Sequence, residues 1–194
     1  MKLTPSVSLR AIEGESDGVL ARLLNWYTEG IPEVERIQWS ELLASLGPTG
    51  GAYLWEVRDN GQPVGFAYGH RIPRADSGVA LGYLQYLVIA PEARGSGRGA
   101  MAYAMVVEVL RPLAGLILEV EDPLRCAEGA DRHWATRRIT FYERLGLRLL
   151  DVPYVQPPVG PGQPAWPMRL MLDSLASDAE ESELVAHFLR YIGA

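Results

Sequence analysis

The chain is short of cysteine and histidine: Cys126 stands alone, and His70, His133 and His187 are the only histidines in 194 residues. A single cysteine excludes an intrachain disulfide and fits a reducing compartment. The histidines lie far apart and none has HxxH or HExxH spacing, so no histidine metal site is expected. Positive charge is also scarce. Lys and Arg total 18 against 24 Asp and Glu, a net charge of −6. A nucleic acid would find little basic surface for counterion release, and none is expected as a partner. No apolar run reaches the roughly 18 residues of a membrane-spanning helix. The opening MKLTPSVSLRAIEGESD has neither an apolar h-region nor a cleavage-like site. The expectation is a cytoplasmic chain with no membrane segment, whose acidity suits a cationic small substrate.

Apolar residues are plentiful at 48%, enough for a substantial core. Residues 1–175 are expected to form one domain, with a C-terminal helix in 176–194 appended to it. Ser6 to Arg10 alternates as a short strand, and Ser16 can cap a helix reaching about Tyr27. The segment Pro32 to Ser45 has helical apolar spacing throughout and reads as one helix. AYLWEV and PVGFAYGH flank Asp59-Asn60-Gly61, a strong hairpin signal. LGYLQYLVIA reads as a central strand, Ala100 to Leu110 as a helix, and Gly115 to Val120 as a buried strand. Asp131 to Leu145 reads as a helix capped by Gly146, and LRLLDV as a strand. After a loop rich in proline and glycine come a last strand, MRLMLD, and a terminal helix with Ser177 and Glu180 as a capping box. This order implies an α/β fold around a mixed sheet with at least one parallel crossover.

Between the central strand and the next helix stands PEARGSGRGA, residues 91 to 100. Glycines at 95, 97 and 99 leave backbone amides unshielded. Amides from Arg94 to Ala100 can converge at a helix N-terminus, whose dipole favours a pyrophosphate. Two cofactor classes fit such a loop. Gly95, Gly97 and Ala100 satisfy G-x-G-x-x-A, with Glu119 about twenty residues on as a ribose ligand, which would be a dinucleotide fingerprint. Against it, Ala90 to Arg94 separate strand from glycine, Pro91 interrupts the strand, and the preceding hairpin does not belong to that fold.

The second class is carried by two motifs. VIAPEARGSGRGAMAYAM, with Arg94-x-x-Gly97-x-Gly99, resembles the acetyl-CoA-binding motif of the GNAT superfamily of N-acetyltransferases. RRITFYERLGLRLL is similar to that superfamily's later motif, with Leu147 where phenylalanine is commonest. Together they cover Leu81 to Leu150, and the flanking elements follow the superfamily's order. The resemblance implies acetyl-CoA as co-substrate, a small-molecule or peptide amine as acceptor, and direct attack in a ternary complex. It also admits a homodimer.

Residue by residue, the resemblance implies that Arg94, Gly95, Ser96, Gly97, Arg98, Gly99 and Ala100 hold the pyrophosphate. Arg98 stands as either a phosphate contact or a solvated arginine. Leu87, near a bulge, Val88 and Ile89 would offer main-chain contacts to the pantetheine arm, their side chains serving the core. Tyr142 aligns with the tyrosine that protonates the departing thiolate, while Phe141 packs the helix. The strand YLQYLVI carries no carboxylate where many members have the base; Tyr83 and Gln85 lie nearby. Glu119 and Glu121, two apart on the following strand, share a face, so either can act as base or as an anionic seat for the amine. His133 is a lesser candidate. Walls for the acceptor are expected from Trp26, Tyr27, Glu29, Glu33, Glu35, Tyr154 and Trp166. A non-catalytic acyl-CoA sensor is the alternative that the missing strand carboxylate leaves open.

Overall fold

A computed structural model describes residues 6–47, 51–74, 79–175 and 180–194. The chain divides into two compact units, Met1–Arg71 with Leu84–Arg111, and Ile72–Tyr83 with Pro112–Ala194.

In the first unit, β1 (Val7–Ala11) pairs antiparallel with β2 (Ala52–Asp59), which pairs antiparallel with β3 (Gln62–Ile72). Asn60 and Gly61 take φ of 48° and 78°, the two positive values that a tight hairpin turn with the native strand twist requires. The strand β4 (Ala80–Ile89) neighbours β3. The two approach closely at Gly65, where a Cβ would stand 2.1 Å from the Val88 carbonyl oxygen. Only glycine allows this pairing. Helix α1 (Asp17–Gly30) buries Leu23 and Tyr27, one turn apart, against a core that includes Leu54, Phe66, Tyr68 and Tyr86. Ser16 occupies the N-cap position without a side-chain bond.

The expected helix over Pro32 to Ser45 is divided into a 3-10 turn (Glu33–Glu35) and α2 (Trp39–Ala44). Two buried tyrosines explain the division. Tyr27 donates its hydroxyl to Ile37 O at 2.8 Å, and Tyr86 donates to Glu35 O at 2.7 Å and accepts from Ile37 N at 3.2 Å. These are backbone groups that a continuous helix would have used for itself. Helix α3 (Arg98–Leu110) buries Ala102, Tyr103, Val106, Val107 and Leu110 along one face. Arg71 donates to Leu110 O at 3.2 Å, a cation on the negative end of that helix.

In the second unit, the first residues of β4 pair in parallel with β5 (Leu113–Glu121), from Ala80↔Leu113 to Tyr83↔Ile117. This is the expected parallel crossover. The strand β5 pairs antiparallel with β8 (Trp166–Ser174), which also takes β6 (Arg148–Leu149) and β7 (Val155–Gln156) as antiparallel partners. The expected strand LRLLDV is thus only two residues long, and β7 lies in the loop that sequence left without structure. Helix α4 (Ala130–Glu143) is followed by Gly146 at φ 99°, the cap that the sequence predicts. Helix α5 (Glu181–Ile192) buries Leu184, Val185 and Phe188 in the core of this unit. Ser177 of the expected capping box lies outside the described residues. The fold is mixed α/β, as expected, with β1, β2 and β3 pairing antiparallel in the first unit and both parallel and antiparallel pairs in the second.

Candidate functional site

The glycine loop belongs to the first unit. After β4 the chain makes a 3-10 turn (Pro91–Ala93), then Gly95 and Gly97 take φ of 81° and 82°, and α3 starts at Arg98. Gly97 is the N-cap of α3 and offers no side chain to the first amides, and the first turn holds no acid. The orphan donors of the helix start are therefore left to water or an anion. A Cβ at Gly95 or Gly97 would meet no atom within 4 Å, so the surface over the loop is open. The positive end of the helix dipole, an open surface and an adjacent arginine fit a phosphate group. Arg94 is exposed and directs Nε to Ile89 O at 2.8 Å, which holds the side chain beside the loop.

Arg98 is otherwise occupied than the sequence suggests. Its Nε and Nη2 lie 2.7 and 2.6 Å from Asp59 Oδ2, and its Nη1 donates to Ala93 O at 3.0 Å and to Ser96 Oγ. The guanidinium is thus engaged within the protein by Asp59, Ala93 and Ser96, with its side chain 24% exposed, and its backbone amide stands at the helix start. Val88 packs in the core, where a Cβ on Gly30 would stand 2.8 Å from its Cγ1, while Leu87 and Ile89 are half-buried. The 3-10 turn between Ile89 and Gly95 separates strand from glycine, unlike the direct strand-to-glycine turn of a dinucleotide fingerprint.

The carboxylates belong to the second unit, and their surroundings differ although they share a strand face. Glu119 takes hydroxyl donors on both oxygens, Tyr83 on Oε2 and Tyr154 on Oε1, with the Gln156 side chain as a further donor. Desolvation raises its carboxyl above the ordinary value of 4.5, and the three hydrogen bonds oppose that rise. Burial likewise raises the Tyr154 hydroxyl, helped by the Glu119 charge and the shared hydrogen bond, so Tyr154 stays a donor. Gln156 is itself buried, and its Oε1 has no partner among the described residues.

Glu121 instead pairs with Arg138 of α4. Those two charges act on Tyr142, whose hydroxyl burial pushes up to about 12, with Arg138 lowering it and Glu121 raising it. Tyr142 is buried beside Phe141, ring centroids 4.9 Å apart. The structure thus brings Tyr142, Arg138 and Glu121 together and assigns Glu119 to a separate tyrosine cage. A carboxylate with hydroxyl donors, a raised pKa and no cationic partner among its recorded bonds can accept a proton; an ion-paired Glu121 is less suited to it. Sequence named Tyr83 only as a neighbour on the central strand and Tyr154 only as an acceptor wall, since nothing local to them signals a carboxylate 36 or 35 residues away. Of the expected acceptor walls, Tyr27 and Glu35 are buried in the core of the first unit, whereas Trp166 is partly exposed. His133 lies on α4 with its ring against Trp134. Among the described residues no three His, Cys, Asp or Glu are grouped to hold a metal ion.

Residues 20–147, more than half of the chain, match the model of the acetyltransferase (GNAT) family. The fold is similar to that of a protein described as an acetyltransferase from the GNAT family of Bacteroides thetaiotaomicron, at 25% identity and TM-score 0.75, over 96% of this chain and 97% of that one. Arabidopsis thaliana Naa50, in complex with the bisubstrate analogue CoA-Ac-MVNAL, shares the fold at 19% identity and TM-score 0.61, over 88% and 99%. So does the ribosomal-protein-S18-alanine N-acetyltransferase of Escherichia coli, at 16% and 0.55, over 90% and 97%. No curated protein sequence matches the chain significantly.

Proposed function

The chain belongs to the acetyltransferase (GNAT) family, and on that premise we propose that it transfers the acetyl group of acetyl-CoA to a primary amine of a small molecule or peptide. The observation that carries this reading is the loop from Arg94 to Ala100, an open, uncapped helix start with two glycines at positive φ. In this reading the loop amides and Arg94 hold the pyrophosphate, and the main chain of Leu87 to Ile89 lines the pantetheine arm.

The chemistry divides among named groups. The amine nitrogen forms a bond to the acetyl carbon, the carbon–sulfur bond breaks, and the nitrogen gives up a proton. Glu119 is the proposed acceptor of that proton, since its recorded partners are hydroxyl and amide donors rather than a cation. Its raised pKa makes the ionised form a stronger base than an ordinary carboxylate. Glu121, held by Arg138, is assigned to the setting of Tyr142.

Tyr142 stays protonated, but a hydroxyl at about 12 is a weaker acid than a thiol near 8.5. Complete proton transfer to the thiolate would run uphill by roughly 5 kcal/mol. Tyr142 is therefore proposed to donate a hydrogen bond to the departing sulfur, with solvent completing the protonation. Among the described residues no helix is long and apolar enough to cross a membrane, and the proposed setting is the cytoplasm. The test is turnover of acetyl-CoA against a panel of small aliphatic and aromatic amines and short peptides with free N-termini. Acetylated amine from any of them supports the proposal; binding of acetyl-CoA with no transfer to the whole panel would favour the sensor.

A further inference from the structure

Asp59 ends β2 at the hairpin turn, 39 residues before Arg98, and has no place in either motif that marks the cofactor loop. Its side chain is only 7% exposed, and both oxygens are used. Oδ1 accepts from Ser6 N and Asn60 Nδ2, each at 2.9 Å, which fixes the carboxylate to the turn. Oδ2 takes Arg98 Nε and Nη2 at 2.7 and 2.6 Å. From the same guanidinium, Nη1 reaches Ala93 O and Ser96 Oγ, and Ser96 Oγ donates in turn to Ala93 O at 3.3 Å. One planar group thus ties the residue before the loop, a residue inside it and the first residue of α3 to a fixed point outside it.

We infer that Asp59 is a positioning residue for the phosphate end of acetyl-CoA, acting through Arg98. The loop needs such a device. It is exposed from Arg94 to Gly97, Gly95 and Gly97 carry the backbone at positive φ, and no side chain caps α3. A two-glycine loop has many competing conformations, and ordering it during binding would subtract from affinity. The fork geometry of arginine, with three nitrogens on four contacts, orders it beforehand, and lysine could not reproduce this. Asp59 also neutralises the one cation inside the helix start. Attraction for phosphate then comes from the backbone amides and from Arg94, and Arg98 acts as a brace.

The inference rests on the acetyl-CoA reading of the loop, so wild-type binding is measured beside the variants. Asp59→Ala, Arg98→Ala and the double change are titrated calorimetrically with acetyl-CoA. Acetyl-pantetheine, which lacks the phosphates, is titrated by ligand-observed NMR. Each single change should raise the acetyl-CoA Kd about tenfold, and the double change should do no more than the larger single. Affinity for acetyl-pantetheine should stay at the wild-type value, a split that general unfolding would not produce. Arg98→Ala leaves the Ser6 and Asn60 bonds in place and carries the test should Asp59→Ala fail to fold. Acetyl-CoA affinities within about twofold of wild type, or equal losses for both ligands, overturn the inference while leaving the function intact. Wild-type protein that does not bind acetyl-CoA overturns both.

Discussion

Tyr154 donates its hydroxyl to Glu119 Oε1 across 35 residues of sequence, and Tyr83, from the strand before, donates to the other carboxylate oxygen. The carboxylate is thereby held in place with its charge supported by donors that carry none. Burial and these donors pull its pKa in opposite directions, and burial prevails.

Removing a donor should let burial act further. Tyr154→Phe is expected to move the acidic limb of the kcat/KM profile to higher pH, because the hydrogen bond that lowers the Glu119 pKa is gone. Loss of a hydrogen bond to a charged group costs about 1.5–3 kcal/mol, so the shift should be on the order of one unit or more. A profile unmoved in Tyr154→Phe would show that Glu119 does not control it.

Glu119→Gln should lower kcat/KM on the order of 100-fold and abolish the acidic limb. Stability should respond with its own sign. A carboxyl whose pKa is raised in the folded state binds its proton more tightly there, so its contribution is complete below about 4.5 and is lost as pH rises through the raised value. The thermal midpoint of Glu119→Gln, relative to wild type, should therefore climb over that window. A difference constant with pH would mean that Glu119 titrates alike folded and unfolded.

Tyr142→Phe removes the donor assigned to the departing sulfur and keeps the ring that packs beside Phe141. We expect kcat to fall about 10- to 100-fold with the acetyl-CoA Kd unchanged. Equal turnover in the variant would leave Tyr142 as a packing residue only.

Gly97→Ala places a Cβ on a residue at φ 82°, a conformation that costs an L-residue about 1–2 kcal/mol. There is room for the methyl group itself, since no atom lies within 4 Å. Weaker acetyl-CoA binding, with the thermal midpoint reduced by no more than that strain, is the expected result of titration and calorimetric melting.

Local chemistry made much of this readable in the sequence. Asp59-Asn60-Gly61 specified its turn, Gly146 specified the end of α4, and the spacing of Arg94, Gly97 and Gly99 marked the loop. What stayed hidden is long-range. The helical pattern of Pro32 to Ser45 is real, yet hydroxyls from residues 27 and 86 claim its backbone at Glu35 and Ile37. Glu119 and Glu121 look equivalent at a spacing of two; only their partners on other elements, Tyr83 and Tyr154 against Arg138, separate them. Arg98 reads in sequence as either a phosphate contact or a solvated arginine, and its pairing with Asp59, 39 residues away, is legible only in the fold.

Calorimetric titration of the purified chain with acetyl-CoA, with NAD as control, tests the central claim most directly. The account predicts saturable micromolar binding of acetyl-CoA and none of NAD, at an ordinary ΔG of about −8 kcal/mol. No heat with acetyl-CoA, or selective binding of NAD, would contradict it and remove the phosphate loop as its foundation.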